Sequence, residues 1–265
     1  MLDVPHDSAV APAFPAGDYV SAGLRRVQPD ACFPFMHIRS EADKAAHPWP
    51  YLRREIPHNY YADLRSPVIG FVSRDEAHIL FNTALMFRGQ RALEIGCWLG
   101  WSACHLALAG VELDVIDPML AQPDFYSSVT SSLSAAGINE HVHLIPGGSP
   151  AEVLRLHNSE RRSWGLIFID GNHDRPGPLQ DSKAAHIVAA PNAQVLFHDL
   201  ASPEVTEGLS YLRDQGWQTM IYQTMQIMGV AWRGTCRPLH HVPDPAVAWP
   251  PLPDHLKDYK VSGAA

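Results

Sequence analysis

The sequence predicts an α/β fold: a doubly wound, mostly parallel seven-stranded sheet with an antiparallel last strand. Three observations predict it. Short apolar runs alternate with helix-period segments between residues 67 and 234, the signature of parallel βαβ units. A glycine-bearing turn, Gly96-Cys-Trp-Leu-Gly100, joins one such run to the next helix, as in nucleotide-binding sheets of the Rossmann-like kind. The last two runs follow each other with no helix between them, so the final strand turns back antiparallel.

Each element has a local reason. Residues 1–66 carry Pro5, Pro12, Pro15, Pro29 and Pro34, which interrupt regular structure, so this extension is expected to be irregular. Its aromatic residues Trp49, Tyr51, Tyr60 and Tyr61, with His58-Asn59 alongside, either cover a pocket or pack on the main domain. Ser73-Arg-Asp-Glu76 reads as a capping box that starts a helix to about Phe87. Arg91–Gly96 is the first strand of the main sheet, and a helix follows from Trp101 to Ala109. Leu113–Asp117, Val142–Ile145, Gly165–Asp170 and Gln194–His198 are further strands. Helices over Pro123–Ala136, Pro178–Ala189 and from Ser202 to about Asp214 separate them. Ser149-Pro150-Ala-Glu152 reads as a second capping box. Trp217–Gln223 and Gln226–Trp232 close the sheet. Residues 67–234 form the main domain, and 235–265 a proline-rich tail that wraps the surface.

Composition narrows the function. The chain has 265 residues, 46% hydrophobic, with a net charge of −8. Its Lys and Arg are scattered, so no nucleic-acid partner is expected. The four cysteines show no CxxC spacing, which disfavours a zinc site or a disulfide scaffold. No secretory leader and no membrane span are expected. A reduced, cytoplasmic setting fits. A homo-oligomer is compatible with the sequence.

In the glycine turn, Gly96 and Gly100 leave room for backbone to approach a ligand, and the helix opening at Trp101 offers unpaired N–H groups. The dinucleotide fingerprint needs glycine where Trp98 stands, which disfavours NAD. Glu94-x-Gly96-x-x-x-Gly100 resembles motif I of the class I S-adenosylmethionine-dependent methyltransferases, and the resemblance spans about Gly70 to Gly234. It implies S-adenosylmethionine as cofactor, with Glu94 supporting the methionine amino group and the Gly96–Gly100 turn under its amino-acid part. Asp117, ending the second strand, is placed to accept ribose hydroxyls. Ser149 would lie beside adenine, although helix capping also explains it. Trp98 flanks the turn, as a cofactor contact or as packing.

The second informative stretch is Phe168-Ile-Asp-Gly-Asn-His-Asp174, and the third is Phe197-His-Asp199. They end strands expected to be neighbours, about 4.8 Å apart, so Asp170, His198 and Asp199 converge beyond the same edge as the glycine turn. Crowded carboxylates repel unless a cation or proton is shared. Asp170-Gly-Asn-His173 with Asp199 resembles the metal-dependent O-methyltransferases of macrolide sugars and their cephalosporin-biosynthesis relatives. That resemblance implies a divalent metal (Mg or Mn) on Asp170 and Asp199, Asp170 also facing the cofactor, and His173 as general base. His198 stands where that group more often has an acid; as a third ligand it shifts preference towards softer ions. The acceptor implied is a small hydroxyl-bearing molecule: a sugar, phenolic or polyketide. Three alternatives stay open: a metal-independent methyltransferase, a protein that binds the cofactor without methyl transfer, and a buried His198 that is purely structural.

Overall fold

The computed structural model describes residues 19–39, 60–63, 69–70 and 72–263. The main sheet has seven strands: β4 (Arg91–Ile95), β5 (Glu112–Asp117), β6 (Val142–Pro146), β7 (Trp164–Ile169), β8 (Ala189–Phe197), β9 (Gln218–Tyr222) and β10 (Met228–Arg233). Their order is β6-β5-β4-β7-β8-β10-β9. The pairs among β6, β5, β4, β7 and β8 are parallel, and β10 runs antiparallel to both β8 and β9. This is the predicted doubly wound sheet with an antiparallel last strand. β7 is buried along its whole length, as a central parallel strand covered on both faces must be.

Helices α1 (Arg74–Leu85), α2 (Trp101–Leu108) and α3 (Pro123–Ala135) supply one apolar layer with the faces of β4 and β5 that meet them. Helices α4 (Ala151–Glu160), α5 (Gly177–Val188) and α6 (Pro203–Asp214) build the other. The strand order reverses between β4 and β7, and such a switch point opens a crevice at the strands' carboxyl ends.

The capping box at α1 forms as predicted: Ser73 Oγ accepts from Glu76 N, and Glu76 Oε2 accepts from Ser73 N at 2.8 Å. The second one does not form. Helix α4 starts one residue later than the box requires, with Pro150 as its N-cap and no side-chain cap. Glu152 is then the second helical residue, out of reach of the Ser149 N–H, and it pairs with Arg155 Nε at 2.6 Å instead. β8 also begins earlier than expected, at Ala189, where Arg233 Nε bonds the Ala190 carbonyl at 3.1 Å.

The N-terminal extension departs from the irregular expectation. β1 (Met36–Arg39) pairs antiparallel with β2 (Tyr60–Asp63), which pairs with β3 (Ile69–Gly70). The prolines that suggested irregularity lie before Met36; none of the three paired segments contains one, so their backbone N–H groups can make a ladder. Tyr60 and Tyr61 belong to β2, whereas Trp49, Tyr51, His58 and Asn59 lie outside the described residues. The C-terminal tail runs back along the sheet: Ser262 N bonds the Ile221 carbonyl at 2.9 Å. Its His241 is fully buried, with Nε2 2.7 Å from Asp75 Oδ2 on α1.

Candidate active site

Register sets the site. Ile95 is level with Ile169 across β4 and β7, and Ile169 with Phe197 across β7 and β8. The next residues, Gly96, Asp170 and His198, therefore leave three adjacent strands at one level. Gly96 has φ +84, and a Cβ there would stand 2.3 Å from the Asp170 carbonyl oxygen. Only glycine permits both that backbone conformation and that approach. Gly100 also has a positive φ, +86, and caps α2.

Glu94 is fully buried. Its Oε1 accepts from the Ser102 hydroxyl, and its Oε2 has no hydrogen-bond partner among the described residues. Burial pushes its carboxyl well above the usual range, the Ser102 bond opposes this, and Asp170 and Asp117 add to it. A buried carboxyl oxygen left open beneath a glycine turn fits an incoming ammonium donor. Asp117 does more than the sequence suggested. Its Oδ2 accepts from Cys97 N at 3.0 Å and Trp98 N at 3.1 Å, and its Oδ1 from Met119 N at 2.7 Å. It thus ties the glycine turn to β5, with lone pairs to spare for a ligand hydroxyl. Trp98 is half-buried, has φ 43 and lies edge-on to Phe125 with centroids 5.0 Å apart. Trp101 is core: it is 3% exposed and its Nε1 bonds the Val72 carbonyl.

On the chemical side, Asp170, His173 and Asp199 each offer a ligand atom, and the three atoms lie within 4.8 Å of one another. His173 Nε2 is 3.6 Å from Asp170 Oδ1 and 3.4 Å from Asp199 Oδ2. Burial lowers the His173 pKa, but the Asp170 bond and the charge of Asp199 outweigh it, so the net shift is upward. His198 sits deeper, 3% exposed, with Nδ1 2.9 Å from Asp199 Oδ2 and 3.5 Å from Asp170 Oδ1. Burial disfavours its charge, yet Asp199, Asp170 and Glu76 hold its pKa well above the ordinary value. Two oxygens and one imidazole nitrogen in this arrangement suit a divalent cation such as Mg²⁺ or Mn²⁺.

Two participants escaped sequence reading. Glu76, on the first turn of α1, has Oε2 3.3 Å from His198 Nε2. Burial pushes its carboxyl up, and His198 pulls it below the usual range. Gln226 Nε2 bonds Asp199 Oδ1 at 2.9 Å. Glu76 was legible only as a cap, and Gln226 lies between two strands with no motif around it.

Ser149 faces Asp181 of α5, a 3% exposed carboxyl that burial raises to about 6 from 3.8. Its favourable contribution to folding is complete below the unfolded value, 3.8, and is lost as pH rises through about 6. Asp181→Asn is therefore expected to stabilise the protein by up to about 3 kcal/mol at pH 8. The gain should vanish near pH 4, as thermal unfolding of both proteins at the two pH values would show.

Residues 93–200 match the family described as a methyltransferase domain. No curated protein matches the sequence. Among solved structures, the O-methyltransferase TomG from Streptomyces achromogenes, involved in tomaymycin synthesis and solved with SAM, superposes with a TM-score of 0.54 at 20% identity. That match covers 62% of this chain and 82% of TomG. The O-methyltransferase from Bacillus cereus, in complex with SAH, gives 0.55 at 14% identity over 62% of this chain and 83% of its own. Cofactor-bound Rv0187 from MTB gives 0.53 at 18%, over 61% and 81%. At these identities the likenesses establish the fold. Residues 93–200 thus resemble a methyltransferase domain, and the seven-stranded Rossmann-like sheet is the fold these structures share.

Proposed function

We propose that this chain transfers the methyl group of S-adenosylmethionine to a hydroxyl of a small molecule. One observation carries the reading: the glycine turn and the Asp170/His173/Asp199 cluster leave adjacent strands at the same edge, with Gly96 against the Asp170 backbone. Donor and acceptor are then held side by side, and alignment of two reactants supplies much of the rate of a bimolecular displacement. Glu94 and Asp117 would bind the two ends of the cofactor's aminoacyl–ribose portion, Ser149 and Trp98 its flanks. Asp170 and Asp199 would hold the divalent cation, and His198 backs them. The cation, when bound, lowers the pKa of the acceptor hydroxyl as a Lewis acid. His173 would serve as general base for the hydroxyl proton, its ring placed by Asp170 and Asp199. The tail reaches the loop that carries Asp199 at His255, whose Nε2 lies 2.9 Å from the Leu200 carbonyl. We assign this part of the tail to the wall of the acceptor pocket.

A second reading has an observation of its own. The His198 ring already stands between Glu76, Asp170 and Asp199, so a fixed positive charge is available without metal. One assay separates the two. Purified protein is incubated with S-adenosylmethionine and a panel of sugar, phenolic and polyketide hydroxyl acceptors, and S-adenosylhomocysteine release is followed. EDTA is expected to suppress turnover at least about a hundredfold, and Mn²⁺ or Mg²⁺ to restore it. Turnover indifferent to EDTA would select the base-only reading, and failure to bind S-adenosylhomocysteine in calorimetry would sink both.

A further inference from the structure

We propose that Glu76 is a positioning residue for the acceptor centre, acting through His198 and Gln226 to fix the Asp199 carboxylate. The inference rests on the reading of Asp170, His173 and Asp199 as that centre. The contacts form a closed ring. Glu76 Oε2 stands 3.3 Å from His198 Nε2, and Glu76 Oε1 accepts from Gln226 N at 3.0 Å. His198 Nδ1 lies 2.9 Å from Asp199 Oδ2, and Gln226 Nε2 donates to Asp199 Oδ1 at 2.9 Å. Both oxygens of Asp199 are thus engaged, one by Gln226, whose backbone N–H donates to Glu76, and one by His198, whose far nitrogen faces Glu76 at ion-pair distance.

A helix cap does not require this. The capping role uses only the bond from Ser73 N, and glutamine serves it as well as glutamate. Burying a full negative charge, 0% exposed, is costly unless partners repay it. Beyond the Ser73 N–H, its partners belong to the acceptor centre rather than to α1. The backbone carries strain at the same place. Asp199 has φ 58 and Ile227, next to Gln226, φ 60, a conformation that costs a β-branched residue about 1–2 kcal/mol. Such strain persists where surrounding contacts over-determine it. Those contacts are visible: Leu200 N bonds the Ile227 carbonyl at 2.9 Å and Ala201 N the Gln226 carbonyl at 3.2 Å, fastening the loop after β8 to the loop before β10.

The test compares Glu76→Gln, Gln226→Met and Ser73→Ala with the wild type. Crystal structures report the Asp199 side chain, Mn²⁺ titration followed by electron paramagnetic resonance reports the centre, and calorimetry with S-adenosylhomocysteine reports the cofactor half. In Glu76→Gln and Gln226→Met the Asp199 carboxylate is expected to leave its position by more than about 1 Å, with Mn²⁺ bound at least about tenfold more weakly. Cofactor-product affinity should stay within about threefold. Ser73→Ala, which removes the cap alone, should lower the melting temperature and leave Asp199 and Mn²⁺ binding as they are. Should Glu76→Gln fail to fold, Gln226→Met carries the test, because it keeps the backbone bond to Glu76. An unmoved Asp199 in the folded variants overturns the proposal. A wild type that binds S-adenosylhomocysteine but no Mn²⁺ removes the metal from the functional reading, and the Asp199 position still decides the role of Glu76.

Discussion

Asp199→Asn is expected to lower methyl transfer by about a thousandfold while leaving S-adenosylhomocysteine affinity within about threefold. The substitution is nearly isosteric, and asparagine tolerates the left-handed backbone of φ 58 at this position. Its amide can still accept from Gln226 Nε2. What disappears is one of two negative charges facing His173 Nε2, at 3.4 Å. The centre then loses a cation ligand and the partner that orients the base. The cofactor half should be spared, because the bonds of Glu94 and Asp117 run to Ser102 and to the backbone of Cys97, Trp98 and Met119, and none reaches Asp199. Initial rates with an active acceptor, beside a calorimetric titration, check both halves. A variant within tenfold of wild type would remove Asp199 from the mechanism.

Gly96→Ala is expected to damage fold and cofactor binding together. The new methyl group would stand 2.3 Å from the Asp170 carbonyl oxygen and 2.8 Å from the Gly171 Cα. Both obstacles are backbone, so neither can swing aside. The left-handed φ of +84 adds about 1–2 kcal/mol for any residue with a Cβ, and overpacking adds about 1–3 kcal/mol. The sum, about 3 kcal/mol or more, corresponds to a fall in melting temperature of about 8 °C for a chain of this size. Relief of the clash can come only by parting the ends of β4 and β7, which separates the glycine turn from Asp170. Affinity for S-adenosylhomocysteine should therefore fall at least about tenfold in whatever protein remains folded. Gly148→Ala is the matched control: a Cβ there meets nothing within 4 Å and no positive φ is involved, so its stability should stay within about 0.5 kcal/mol of wild type. A Gly96→Ala protein as stable and as tightly binding as that control would contradict the close approach.

The sheet was legible in the sequence because its signals are local. The apolar runs at 91–96 and 165–170 each bury a strand on both faces, so hydrophobicity alone marks them. The turn at Gly96–Gly100 announces itself through the backbone freedom that glycine has and other residues lack. Asp170, His198 and Asp199 could be brought together on paper because parallel strands in register deliver consecutive strand ends to one edge. Local signals also misled. Ser149-Pro150-Ala-Glu152 has the spacing of a capping box, yet the helix starts one residue later and Glu152 turns to Arg155.

The strand–turn–helix alternation, the glycine turn and the acidic and histidine residues at the ends of β7 and β8 are all written in local sequence. How those side chains divide their work depends on long-range packing. That packing put His173 between Asp170 and Asp199 and set His198 behind them. It also brought Glu76 to within 3.3 Å of His198 and bonded it to Gln226, 150 positions further along the chain. No periodicity encodes such a contact: short-range spacing reports dihedral preference and which face is apolar, whereas the partner of a buried charge is chosen by the packing of α1 against the sheet edge.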